Sequence, residues 1–207
     1  MSKETLQLFM DMNHDWLETQ IALQCAPLLA GMKISNLLIV DSKKQTEVEL
    51  TFSNTCLSCF VLYDSGKKAT FLLYRKQSLE KYLGRTGVTK LMEGFGYRRQ
   101  ELGYVLHQVS LRYRAHMERK GHFPHEIGIL LGYPPEDVMG FIGNKGKNFL
   151  CSGYWKVYSD LNGCRRIFRQ YNHARERVIH MVSHGMHIRD ILEFYGLIQY
   201  KSMSMGG

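Results

Sequence analysis

No stretch of this 207-residue chain approaches the roughly 20 apolar residues that a membrane-spanning helix needs. Its first residues, MSKETLQLFMDMNHDWLE, lack a basic segment followed by an apolar core, so no secretory signal is expected and a cytoplasmic location is. Cysteines are few and odd in number. Cys25, Cys56, Cys59, Cys151 and Cys164 predict reduced thiols, not a disulfide framework. Internal repeats and low-complexity linkers are missing, which excludes solenoids and tethered modules. Acids are outnumbered, 19 against 27 Lys and Arg. Residues 1–60 carry −3 and residues 61–207 carry +11, a balance suited to a solubilising surface or to a phosphate, acidic protein or nucleic-acid partner.

What remains is a chain long enough to bury a core without a disulfide or metal. The expected organisation is a single α+β domain over 1–200, with a disordered tail at 201–207. Leu6, Met10, Leu17 and Ile21 predict an amphipathic helix over 3–24, with Ser2 as its cap, Phe9 and Trp16 flanking, and a break at Cys25-Ala26-Pro27. Leu37–Val40 reads as a buried strand. Residues 45–58 fit strand or helix, and helix is preferred. Phe60–Tyr63, a turn at 64–68 and Ala69–Tyr74 form a β-hairpin signal. Helices are then expected at 77–83, 88–93, 98–119 and after Pro124 and Pro134-Pro135, where proline suits a first helical position. Tyr154–Tyr158 reads as a strand, 162–183 as a basic helix and 188–194 as a last short helix. The predicted fold is thus α+β: a small, mainly antiparallel sheet of three to four short strands, including the hairpin near 60–74, packed with seven or more helices.

The most distinctive stretch is FPHEIGILLGYPPEDVMGFIGNKGKNFLCSGYWKVYSD, residues 123–160. With CAPLLAGMKISNLL at 25–38 and ATFLLYRKQSLEKYL at 69–83, it resembles the signature of an uncharacterised family, domain of unknown function 3793. The likeness spans about residues 5–195. It implies a bacterial, largely anaerobic source and gene neighbourhoods that include flavodoxin and ferrous-iron transport genes, hence a link to iron or redox metabolism. It implies no catalytic residue, substrate or cofactor. The family tends to carry a cysteine in the late basic helix. This chain has Tyr171-Asn172-His173 there, which argues against an essential role for that position.

Several groups of residues can carry chemistry. Cys25 with His125 as base, and Glu126 or Asp137 as the acid that orients it, has the composition of a nucleophile for acyl or related group transfer. The plainer alternative makes Cys25 a small core residue. Cys56-Leu57-Ser58-Cys59 is one CxxC, half of a zinc site. His173, His180, His184 and His187 share a helical face, but Gly185 interrupts it and no acid accompanies them, so no metal site is expected. Asn144, Lys145 and Lys147 in Gly143–Lys147 have the composition of a phosphate loop without its spacing. Trp155 and Lys156, with Lys33, are candidate ligand contacts. Arg165, Arg166, Arg169, Arg175 and Arg177, together with Arg112, Arg114, Arg119 and Lys120, offer a basic face to nucleic acid, without a recognised motif.

The leading expectation is an accessory protein that binds a small molecule or partner protein through residues 25–33, His125-Glu126 and 143–158. The alternatives are a cysteine-nucleophile enzyme and a basic nucleic-acid-associated protein. Neither cofactor nor oligomeric state can be read from the residues.

Overall fold

The computed structural model describes the backbone of residues 7, 8 and 10–204 and side chains as far as Gly196. The expectations for Ser2, residues 3–6, Phe9 and the end of the tail at 205–207 lie outside the described residues. A three-stranded antiparallel sheet forms the middle of the molecule. Strand β1 (Ser35–Asp41) and strand β2 (Ser58–Asp64) flank the central strand β3 (Lys68–Tyr74). The β2–β3 hairpin turns at Ser65-Gly66, where Asp64 accepts from the Gly66 N–H at 2.8 Å and from Ser42 Oγ at 2.6 Å. Strand β3 is buried from Ala69 to Tyr74. Its side chains alternate across the sheet, Phe71 and Leu73 to one face and Leu72 and Tyr74 to the other.

Each face is covered by helices. On the first lie α1 (Leu17–Leu29), α2 (Gln45–Phe52), the second half of α8 (Leu161–Ser183) and α9 (Ile188–Ser204). On the second lie α3 (Lys76–Leu83), α4 (Thr86–Gly94), α5 (Leu102–Met117), the single turn α6 (Ile127–Leu130) and α7 (Pro135–Gly143). Leu102, Val105, Leu106, Val109 and Tyr113 form the inward stripe of α5. A two-stranded ribbon, β4 (Cys151–Ser152) with β5 (Lys156–Val157), packs through Trp155 and Val157 on Cys164 and Tyr171 of α8. Helix α8 therefore links the ribbon to the first core. This is an α+β fold. Among the described residues no helix is long and apolar enough to cross a membrane.

The N-terminal region departs from the expected single helix. The break falls at Asn13–Trp16, where Asn13 Oδ1 accepts from the Asp15 N–H at 2.9 Å. This side chain imitates the backbone and competes with the helix. Met10 before the break and Trp16 at its end are exposed. The expected break at Cys25-Ala26-Pro27 does not occur: α1 continues through Pro27 to Leu29. A helix-interior proline costs about 3 kcal/mol. Here Cys25, Ala26, Pro27, Leu28 and Leu29 are all buried, and burial of that apolar run outweighs the local preference.

Candidate functional site

A cavity of about 340 Å³ opens where α6, α7 and the ribbon meet the second face of the sheet. Its walls are apolar: Leu37 from β1, Ile127 and Leu131 around α6, and Val138 from α7. Phe123, Tyr133, Phe141 and Trp155 add four aromatic rings, and His125, Asp137, Ser152 and Lys156 bring polar atoms.

Asp137 holds the wall together. Its Oδ1 accepts from the Tyr158 and Ser159 N–H groups at 2.8 and 2.9 Å and from Ser159 Oγ at 2.8 Å. Its Oδ2 accepts from Trp155 Nε1 at 2.7 Å, with Cys164 Sγ at 3.6 Å. Burial pushes this carboxyl upward, but the hydrogen bonds from Tyr158, Trp155 and Ser159 prevail and hold it below the usual carboxylate range. The same contact, together with burial, raises the Cys164 thiol to about 11, burial being the larger cause. Trp155, so fixed, stacks on Tyr133 with centroids 5.0 Å apart and meets Phe168 edge-on at 4.6 Å. The ribbon approaches closely because two positions lack a Cβ. One on Gly140 would lie 2.5 Å from Tyr158, and one on Gly153 would lie 2.4 Å from Phe168.

Lys156 Nζ donates to Gly146 O at 2.7 Å and lies 4.8 Å from the Phe149 centroid and 5.7 Å from that of Phe141. The turn that carries Gly146 and Phe149 is strained, with Lys145 at φ 51° and Asn148 at φ 56°. His125 sits between the rings of Phe123 and Phe141, 5.6 and 5.5 Å away.

The structure brings His125, Asp137, Trp155 and Lys156 to one cavity and puts the other candidates elsewhere. Cys25 is fully buried in the core on the first face and donates to Leu37 O at 3.6 Å. Burial pushes its thiol up to about 12, against the lowering effects of Asn36 and Lys33. It shares no cavity with His125. Glu126 is buried beneath the cavity wall, where it accepts from Tyr97 Oη at 2.9 Å and pairs with Arg112 at 2.8 Å. It braces α5 against α6. Lys33 is buried too. It donates to Asn36 Oδ1 at 2.7 Å and lies 5.5 Å from the Tyr133 centroid. Burial lowers its ammonium to about 8. Asn144 turns back to Gly140 O at 2.9 Å, while Lys145 and Lys147 face solvent.

Cys56 is exposed and Cys59 half-buried at the start of β2. His180 and His184 stack at 4.1 Å, and His187 instead meets Glu18 at 3.1 Å. Among the described residues no three of His, Cys, Asp and Glu are grouped to hold a metal. Sequence reasoning missed Phe123, Tyr133 and Phe141 as wall residues. Their signal was present, as aromatics beside the turns of the 123–160 stretch. Leu37 had none, since its place depends on strand pairing.

The family model described as protein of unknown function (DUF3793) matches residues 21–192. The chain belongs to this family. Every DUF3793 residue that lines the cavity, from Leu37 to Lys156, falls inside the matched span. No curated protein and no solved structure matches the chain.

Proposed function

We propose that this DUF3793 protein is a cytoplasmic accessory protein that binds a small, largely apolar molecule in the cavity between α6, α7 and the ribbon. The observation that carries this reading is the aromatic enclosure into which His125, Ser152 and Lys156 bring polar groups. Small-molecule sites have this character, apolar walls with a few placed polar groups, and the volume lies at the lower end of their usual range. Burial of about 100 Å² of apolar ligand surface supplies roughly 2.5 kcal/mol. Native mass spectrometry of protein purified without oxygen tests the proposal. A small organic mass that leaves on unfolding is expected. A bare chain that also takes up nothing from a library of apolar compounds overturns it. A metal or flavin mass in the same spectrum would support the link to iron or redox metabolism.

A second reading rests on α8. Arg165, Arg166, Arg169, His173, Arg177 and His180 are exposed along it at helical spacing. Such a stripe suits a polyanion read through its phosphates. Retention on single-stranded DNA that survives moderate salt and falls on R165A/R166A/R169A substitution supports it. Elution in low salt, unchanged in the triple variant, reduces it to a solubilising face.

A further inference from the structure

The cavity is not chemically neutral, and its polar atoms differ in what they still offer. Among the described residues Asp137 brings the one carboxylate in the wall, and both its oxygens are taken up by donors from Trp155, Tyr158, Ser159 and Cys164. Its charge is spent on the wall. Lys156 is different. Its ammonium has three N–H groups, and the described structure gives it one acceptor, Gly146 O, and two aromatic faces, Phe141 and Phe149. No carboxylate pairs with it among the described residues. The His125 ring lies across the same cavity with ring contacts but no side-chain hydrogen bond to a described residue. The remaining surface is flat and aromatic, with Tyr133 stacked on Trp155 and Phe123 and Phe141 beside His125.

Resting on the ligand-binding reading above, we infer that the cavity takes a compact planar aromatic acid, its ring against the aromatic wall and its anionic group at Lys156 Nζ. An ammonium already held between aromatic faces gives an incoming anion a charge-assisted hydrogen bond in a site of low dielectric. Ring edges and faces favour a flat body over a flexible chain. The small volume limits the ligand to about two fused rings.

Four probes of similar size separate the components: 2-naphthoate, neutral 2-naphthamide, cationic 2-naphthylmethylamine and aliphatic decanoate. Affinities come from calorimetry, and location comes from the indole N–H signals in a nitrogen-15 correlation spectrum. The protein has two tryptophans. Trp155 lies in the wall and Trp16 on the surface, 67% exposed, so Trp16 is an internal control. The expected result is movement of the Trp155 signal alone. Naphthoate should bind about tenfold more tightly than the other three probes. Lys156→Met should cost naphthoate about tenfold and leave naphthamide unchanged, and Lys156→Arg should retain most of the affinity.

Naphthamide or the amine binding as tightly as naphthoate at Trp155 overturns the anionic part and leaves the ligand-binding reading intact. Decanoate binding most tightly there overturns the aromatic part. If no probe moves the Trp155 signal, the inference fails, and an empty cavity in the mass measurement as well would remove the reading beneath it. The preference among probes is measured on the unaltered protein, so it stands even if a Lys156 variant does not fold.

Discussion

Asp137 is the residue on which the cavity wall depends. Asp137→Asn replaces an acceptor oxygen with an amide N–H that faces donors. The expected loss is about 3 kcal/mol of stability, together with loss of the Trp155 indole hydrogen bond. The carboxyl is held below its usual value in the folded protein, so its contribution is fully present above about pH 4 and disappears as pH falls through the folded value. Urea unfolding at pH 7 and pH 3 should therefore show the wild-type advantage over D137N shrinking at the lower pH. Lys33 has the opposite sign. Burial lowers it to about 8, so a penalty is present below pH 8 and is relieved as pH rises toward the unfolded value near 10.5. Relative to Lys33→Met, the wild type should gain up to about 3 kcal/mol between pH 7.5 and 10.5. The same denaturation series checks this, and a constant difference contradicts it. These two residues also show how much of the site can be read from sequence. The 123–160 stretch marked the right region, and Asp137 stood out as one of two acids that could orient His125. Nothing in its neighbours reveals that the donors it meets come from residues 155–164, because that meeting is made by tertiary packing.

At the scale of elements, strand β1 lies at an edge of the sheet, where unpaired backbone groups invite pairing with another chain. Helix α1 covers it with side chains. Gln24 Oε1 accepts from the Ile39 N–H at 2.9 Å, and Gln24 Nε2 donates to Ile39 O at 3.0 Å, so the amide serves as a neighbouring strand would. Cys25 and Asn36 donate to Leu37 O in the same way. Gln24→Ala should cost about 1–2 kcal/mol. It should also speed hydrogen exchange at Ile39 well beyond that of Leu38, whose strand register with Phe71 is untouched. Equal protection in both proteins would show that the edge needs no cover. Elements governed by local chemistry were legible: the hairpin, the α5 stripe and the preference for helix at 45–58, of which 45–52 is helical. The run through Pro27 and the break at Asn13 were not. The first depends on apolar partners far along the chain, and the second on one side chain that competes with a good helical pattern.

For the whole molecule, the decisive feature is that two apolar cores share three strands. Adjacent residues of β3 serve opposite sides: Phe71 belongs to the core of α1, α8 and α9, and Leu72 to the core of α3–α7. Neither core can lose its helices without exposing the back of the other's sheet. The ribbon cluster is tied in by Asp137 on one side and by α8, which continues into the first core, on the other. The connectivity therefore predicts one cooperative transition despite three separate clusters. Phe71→Ala and Leu72→Ala should each cost about 3–5 kcal/mol and lower the denaturation midpoint without splitting the curve. Two probes distinguish the outcomes. Far-ultraviolet circular dichroism follows the helices of both layers, and Trp155 emission follows the ribbon, with Trp16 already exposed at 67% in the folded state and so changing little. Coincident curves in the wild type and in both variants are expected. If Phe71→Ala melts the circular dichroism signal while Trp155 emission persists, the cavity region has its own stability. The α8 link would then be a packing contact alone, and the cavity could be opened without loss of the fold.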